Sequence, residues 1–400
     1  MMAGGRSSTA TAPDSSRRPT PTETFSVLRL GTFPTLRRNG MGLPAYELAA
    51  DDRYHTVYRA PASDRNEVPR PAPNEDVDLR FVPFPNPAMP TGGRSKLAAV
   101  GAMSRRLAAI AGLTGRVLFD AEARRADLVH IHSPMYAGVA AYARLRHTPT
   151  VLTIHGTDFL RLRDSRLLRR TLSPIDRVLC VSDRFVGELA ELLPSKRICA
   201  VYNGVDVDRF SPSRVPDDGR QRRIISVGSL RWHKDHRGLI RAFAEIAGRH
   251  PAWELAIVGD GELRDDLEGA ISDLGLHGRV HLLGNLPQDQ VAQELAASEI
   301  FAMSSVTEGL PKVLLEAMAS GCACVATDVG ECRVAVADAG LIVAPQDAPA
   351  LAEALDSLIS DAGLRRKLGA DGTARARQFT WQAYRDRHFE IYQDLLGIAS

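Results

Sequence analysis

The sequence predicts an α/β chain of two βαβ domains facing each other across a cleft. Three observations carry this. Short apolar runs of strand type alternate with helical periodicities, an order that makes a parallel sheet with right-handed crossovers. A polar, turn-rich and Pro-containing stretch, NGVDVDRFSPSRVPDDGRQRR at 203–223, interrupts the alternation, which then restarts. At 400 residues the chain is long enough for two sizeable cores. The expected divisions are a disordered tail at 1–23, a first domain at 24–203, a second domain at 204–380 and a final helix within 381–400.

Taken in order, the opening residues are rich in Ser, Thr, Pro and Arg. They lack an apolar signal core, so a disordered tail is expected rather than an export signal. Residues 26–30 read as the first strand. The loop GTFPTLRRNGMGLPAYELAA follows, carrying Gly40 and Gly42, with a helix from about Pro44. Such a loop after a first strand often faces a ligand in open α/β sheets. Residues 61–96 are Pro-rich and read as irregular, and 96–113 has helical periodicity. DLVHIH at 127–132 and TVLTI at 150–154 read as strands, followed by the loops SPMYAG and HGTDF. RVLCV at 177–181 is another strand, with Ser182 and Asp183 capping the next helix, and 197–202 is one more.

Beyond 203–223, strands are expected at 224–227, 253–258, 280–283 and 300–303. Helices are expected at 235–249, 263–274 and 288–297. TEGLPKVLLEAMASGCACVATDVG at 307–330 then reads as a tight loop, a helix and a strand. Pro311 suits a first helical turn, where its missing N–H costs nothing. Gly321 falls where the helix stops. FTWQAYRDRHFEIYQDLLG near the end is an amphipathic helix after a Thr380 cap.

Composition excludes some functions. Fifty Lys and Arg against forty-eight Asp and Glu leave +2, and aromatic residues are 6%. Neither a basic nucleic-acid surface nor a stacking platform for single strands is indicated. No apolar run reaches the 18 or so residues of a membrane span. The five cysteines are odd in number and mostly sit in apolar runs, as reduced thiols of a cytoplasmic protein do.

The chemistry centres on 307–330. Glu308 stands just before the helix and Glu316 two turns inside it, breaking an otherwise apolar pattern; buried carboxylates are rare without partners. Eight residues of helix separate them by about 12 Å. Between them lies the helix N-terminus, with its free N–H groups and positive dipole end. A ligand with two hydroxyl-bearing ends and phosphates in the middle fits, and a nucleotide sugar is such a ligand. The loop after 224–227 adds Arg231 and Lys234, cations at the C-terminal end of a sheet, where phosphate is met by a fork and a point charge. Gly259, Asp260 and Gly261 form a turn at the end of the next strand.

The motifs VGSLRWHKDHRGLIRAF, VGDGEL, LLGNLP and TEGLPKVLLEAMASG, in this order and spacing from about 200 to 380, resemble the donor-binding half of the retaining glycosyltransferases of family 4, which have the GT-B fold of two Rossmann-like domains. HGTDF and NGVDVDRF are similar to that family's first domain and hinge. The resemblance is weakest before residue 120. It implies a retaining enzyme that moves a hexose from a nucleotide-diphosphate sugar to a hydroxyl of a glycan, lipid-linked or small-molecule acceptor. A sugar-nucleotide epimerase or phosphorylase on the same fold, or a sugar-nucleotide-binding protein without catalysis, are the alternatives.

What the resemblance implies for the site is specific. Glu308 faces the donor sugar's hydroxyls near its reacting end, and Glu316 accepts from the ribose hydroxyls. Arg231, Lys234 and the helix start at Gly309, Leu310, Pro311 and Lys312 steady the departing diphosphate. Gly228, Ser229, Gly259 and Leu314 line the donor, while Asn285 and Leu286 border the base. His155 contacts the sugar or its leaving group. Gly40, Gly42 and Asp158 fall on the acceptor side. No enzyme nucleophile is implied, the leaving phosphate itself taking the acceptor proton, and no metal or other cofactor is expected. The final helix, with Trp381, Tyr384, Phe389 and Tyr392, packs back on the first domain.

Three positions depart from the family: Ser229 where Arg is usual, Asp235 where Gly is usual, and Glu331 where a second Gly is usual. Glu331 receives no role. The Asp-x-Asp strings Asp76/Asp78 and Asp206/Asp208 do not follow strands inside a sheet and read as structural. The run 160–172 holds Arg161, Arg163, Arg166, Arg169 and Arg170 among leucines. It reads as a solvated helix with its leucines in the core, or as a basic amphipathic face on an anionic membrane, which would place the protein peripherally at the inner membrane face.

Overall fold

A computed structural model describes residues 24–31, 42–61, 72–74, 77–82, 112, 115–117, 119–216 and 219–398. The expectations for the 1–23 tail, for Gly40 and for nearly all of 96–113 lie outside these residues. Strands β1 (Ser26–Leu30), β2 (His55–Pro61), β3 (Val77–Val82), β4 (Leu128–Ile131), β5 (Thr150–Ile154), β6 (Arg177–Cys180) and β7 (Arg197–Ala200) form one sheet, in the order β3-β2-β1-β4-β5-β6-β7. Strands β8 (Gln221–Val227), β9 (Glu254–Val258), β10 (Val280–Gly284), β11 (Ser298–Met303), β12 (Ala323–Thr327) and β13 (Gly340–Val343) form the other, in the order β10-β9-β8-β11-β12-β13. Every pairing is parallel. The α/β class follows from this. In both sheets the order reverses beside the first strand, between β1 and β4 and between β8 and β11. Ligands bind outside the carboxyl ends of the strands at such points.

The strands read as continuous apolar runs because helices cover both faces. Leu128–Ile131 and Ala323–Thr327 are buried at every position. One core lies on each face of each sheet. In the second domain, Leu239, Phe243, Leu255, Leu351 and Leu355 lie on one face, and Ile225, Phe301, Leu314 and Met318 on the other.

The structure corrects the sequence reading in two places. The stretch 61–96 is not wholly irregular. VDLRFV forms β3, paired with β2 in register from Thr56↔Val77 to Pro61↔Val82. Pro73 stands outside the strand, and an edge strand tolerates a proline there. The fully buried Arg59 ties this edge down through Asp78 at 2.7 Å and Asp120 at 2.6 Å. The turn-rich stretch 203–223 is also partly built into the second domain: Val205 and Phe210 are buried in its core, and β8 begins at Gln221 rather than at 224. The helices Ala348–Ser360 and Ala362–Ala376, which no expectation covered, also pack on the second domain.

The last helix, Trp381–Leu396, starts at Thr380, whose Oγ1 accepts from Ala383 N at 3.1 Å. It lies against the first sheet: Tyr384, Ile391 and Tyr392 pack with Val27, Leu128, Val151 and Leu179. Beneath it Arg29 is fully buried and meets no carboxylate among the described residues. It donates to Tyr392 Oη at 3.0 Å, to Tyr54 Oη at 2.5 Å and to Leu48 O at 3.4 Å, and lies 3.1 Å from His130 Nδ1. The chain thus passes between domains twice, and the passages touch. Val205 N donates to Phe379 O at 2.8 Å. A Cβ on Gly204 would stand 2.5 Å from Trp381 N, so only glycine fits there.

All five cysteines are free thiols, four of them buried. No helix among the described residues is long and apolar enough to cross a membrane.

Candidate functional site

The site forms where the loops after β8 and β11 meet. The loop after β8 starts at Gly228 and climbs over the β9 turn. Gly259, at φ +140°, leaves no space for a side chain, because a Cβ would stand 1.9 Å from Gly228 O. Leu230 N donates to Asp260 O at 3.1 Å, and Leu263 N donates to Leu230 O at 3.1 Å. The glycines of VGDGEL therefore serve a backbone-on-backbone contact that sets the height of the Ser229–Lys234 loop.

Hydroxyls at the end of β11 clamp that loop from the other side. Ser304 Oγ lies 2.9 Å from both Lys234 O and Asp235 O, and Val306 N donates to His233 O at 2.8 Å. Ser305 Oγ donates to Glu308 Oε1 at 2.8 Å, and Thr327 Oγ1 donates to Ser305 O at 2.6 Å. Lys234 Nζ then reaches the same Glu308 oxygen at 2.5 Å. Both side chains are largely covered, at 19% and 13% exposure, so the pair is held in place rather than loose in solvent. Sequence reasoning placed Lys234 and Glu308 on separate motifs and missed the three serine and threonine hydroxyls that join them. The signal was present: small hydroxyl residues at strand ends, in FAMSSV and CVATD.

The helix Lys312–Ala319 follows Leu310 and Pro311, both buried, with no side-chain cap from the described residues on its first N–H groups. Glu316 stands one turn after Lys312. Its carboxyl makes no hydrogen bond or ion pair among the described residues. Burial raises its pKa, against the lowering charges of Lys312 and Arg209. Leu314 is fully buried beneath. Asn285 is exposed and Leu286 half-buried, on the loop after β10. Arg231 is exposed and makes no side-chain bond among the described residues, although its charge reaches His233.

The first domain brings His155 to the same place. It follows β5 as the N-cap residue of the helix Gly156–Asp164, is 8% exposed, and its Nε2 has no hydrogen-bond partner among the described residues. Burial, and then the charge of Lys312 across the cleft, hold its pKa down at about 4, so the ring is neutral. Asp158, one turn on, is buried against Arg161 at 3.1 Å, and burial lifts its carboxyl to about 6. Gly42 begins the helix Gly42–Ala49. Gly309 also borders the first domain: a Cβ there would meet Val181 at 3.3 Å.

Among the described residues no group of three or more His, Cys, Asp or Glu is placed to hold a metal ion. Asp78 pairs with Arg59, and Asp206 accepts from Arg209 N at 2.9 Å. Asp76 lies outside the described residues. The basic run is broken at Ser165, which caps a second helix, Arg166–Thr171. Leu162 and Leu172 are fully buried, while Leu167 is 73% exposed. Arg166, Arg169, Arg170 and Lys196 line a hollow of about 300 Å³ beside it.

Comparison with known proteins gives a consistent picture. Residues 208–375 match the Glycosyl transferases group 1 family, and residues 45–209 match Glycosyltransferase Family 4. The chain is 30% identical over 323 residues to the D-inositol 3-phosphate glycosyltransferase of Corynebacterium jeikeium, covering 72% of this chain and 77% of that protein. Sucrose-phosphate synthase from Thermosynechococcus elongatus has a similar fold, with a TM-score of 0.73 at 20% identity, over 94% of this chain and 100% of that one. Anabaena HepE, solved in complex with UDP, gives 0.70 at 18% identity, over 92% and 100%.

Proposed function

Because this chain belongs to the group 1, family 4 glycosyltransferases and has their GT-B fold, we propose that it transfers a hexose, with retention of anomeric configuration, from a nucleotide-diphosphate sugar to a hydroxyl of a glycan, lipid-linked or small-molecule acceptor. The observation that carries the donor is the Glu316 carboxyl, half-buried and without a hydrogen-bonding partner among the described residues, one helix start away from the Lys234–Glu308 pair. A carboxylate partly withdrawn from water without a partner is costly, and two vicinal ribose hydroxyls would supply two donors. The uncapped N–H groups at Lys312, with the Lys234 and Arg231 charges, then face the diphosphate. The HepE neighbour was solved in complex with UDP, which supports a nucleotide-sugar donor.

In this reading the bond from the anomeric carbon to the phosphate oxygen breaks while the acceptor oxygen bonds on the same face. The acceptor's proton passes to the departing phosphate oxygen. The cations and helix start stabilise charge that grows on the leaving group, the target that rewards fixed electrostatics most. Neutral His155 offers a hydrogen bond without adding charge beside Lys312. Domain closure excludes water from the transferred sugar. The reaction needs no metal and the protein works in the cytoplasm; 160–172 is read as a solvated helix with leucines in the core, with peripheral contact to the inner membrane face as the alternative.

The test is a thermal-shift panel of UDP-, GDP- and ADP-sugars, because a ligand that binds the folded state raises the melting temperature by mass action. One of them is expected to stabilise the wild type strongly and Glu316→Ala hardly at all. An equal shift in both would remove Glu316 from the donor site. With that donor, the product's anomeric configuration by NMR decides retention, and undiminished turnover in excess EDTA decides metal independence.

A further inference from the structure

Glu331 replaces a glycine of the family pattern, and its carboxylate reaches across to the other domain. It is 2% exposed. Its Oε1 accepts from Ser182 Oγ, and from Arg184 N at 3.0 Å. Ser182 is the N-cap of the first domain's helix Asp183–Leu192, and its Oγ also accepts from Phe185 N at 3.2 Å. A hydroxyl has one proton and two lone pairs, so both bonds are made at once. An anion of the second domain thus sits on the positive end of a ten-residue helix of the first, where free N–H groups and the dipole favour it.

The backbone of the same segment holds the donor loop. Glu331 N donates to Gly309 O at 2.9 Å. Gly330, at φ +53°, is pressed so closely on that loop that a Cβ would stand 2.2 Å from Gly309 O. Gly309 directly follows Glu308, which holds Lys234 at 2.5 Å. One residue therefore joins the first domain's helix, through its side chain, to the loop that carries Glu308, through its main chain.

We infer that Glu331 is an interdomain latch, a positioning residue that holds the domains closed and sets the Glu308–Gly309 loop in the closed state. A glycine at this position makes the backbone bond and neither of the side-chain bonds. On opening, the carboxylate exchanges two directed bonds for water, so its net contribution falls on the closed state. A protein that is closed only part of the time binds and turns over in proportion to that fraction. The effect on transfer rests on the donor reading of the Glu308 loop. The effect on domain separation does not.

The experiment uses the full chain with dyes on Leu145→Cys and Leu274→Cys, exposed positions of the two domains, and reads energy transfer in single molecules. Glu331→Ala is expected to move a large part of the ligand-free population to a second distance, and to lower kcat/KM on the order of tenfold or more. Glu331→Gln keeps an accepting oxygen and is expected to recover part of both effects. Ser182→Ala added to Glu331→Ala should cost less than the two changes do separately, since they share one bond. Should the alanine variant fold poorly, Glu331→Gly, the family's residue, replaces it. An unchanged distance distribution in the variant overturns the latch, whatever happens to turnover. A shifted distribution in a protein that transfers no sugar supports the latch and removes the donor reading instead.

Discussion

Lys312 of the second domain stands close enough to His155 of the first for its charge to add to burial in keeping the imidazole neutral, down to about 4. His236, under the Gly228 loop, is held at about 4, and His388, on the last helix, at about 3, both chiefly by burial.

These three rings make stability fall in acid. Their unfolded value is near 6.5, so between about 6.5 and about 4 the unfolded chain takes up protons that the folded chain refuses. Above that window they add no pH dependence. At roughly 1.4 kcal/mol per unit, each ring depressed to about 4 costs on the order of 3 kcal/mol once the pH reaches it. Asp158 works the other way: raised to about 6, its folded carboxyl keeps a proton that the unfolded one loses, so it gains stability as pH falls. One such group does not offset three. The urea midpoint is expected to drop steadily from pH 6.5 to 4, and His388→Gln to flatten the slope. A level midpoint across that range would mean the rings protonate freely in the fold.

Lys234→Ala and Glu308→Ala are each expected to reduce transfer by roughly a hundredfold or more, the scale for removing one fixed electrostatic group. Ser304 still holds the carbonyls of residues 234 and 235 in either variant, so circular dichroism and melting temperature should change little. Near-normal turnover in either variant would sink the assignment of this pair.

Two residues with positive φ predict stability changes. Ala337 adopts φ +48°, ψ −121°, a glycine conformation, on an exposed turn. Ala337→Gly is expected to gain about 1 kcal/mol. Asp235, at φ +46°, carries its own compensation: its carboxylate caps the next helix through Gly238 N at 3.1 Å. Asp235→Gly should therefore be close to neutral, while Asp235→Ala loses the cap and keeps the strain, for about 1–2 kcal/mol. Denaturant midpoints for the three variants check the order, and equal values for the Gly and Ala variants at 235 would refute the cap argument.

For the basic run, flotation with vesicles containing anionic phospholipid is the measurement. Leu162 and Leu172 already belong to the core, leaving Leu167 with Arg166 and Arg170 at the surface. Binding that disappears in Arg166→Glu with Arg170→Glu, and in high salt, would support membrane contact. Protein that stays at the bottom of the gradient leaves 160–172 as a solvated face.

The second domain was legible up to residue 330 because its strands and helices there carry local signals, whereas the helices Ala348–Ser360 and Ala362–Ala376 were not anticipated. The helix Gln288–Ala297 has the bounds its periodicity gives, and Gly321 ends the Lys312–Ala319 helix at φ +77°. The β2–β3 edge was harder to see, since prolines on both sides of VDLRFV mask a six-residue strand whose anchor, Arg59, is a buried charge. Within the site, sequence placed residues on motifs but not on each other. That Glu308 is shared by Lys234 and Ser305, or that Glu331 belongs to a helix 147 positions earlier, is set by tertiary approach alone.

The return of the last helix to the first sheet has a consequence for biosynthesis. A ribosome releases the chain from its beginning, and domains generally fold as they emerge. Here Arg29, His130 and the apolar row from Val27 to Leu179 are covered by Tyr384, Ile391 and Tyr392. The first domain stays uncovered until the end of translation, whereas the second has its core complete once Phe379 is out. The half made first is therefore finished last, and any nascent-chain protection this protein needs is needed on that exposed sheet.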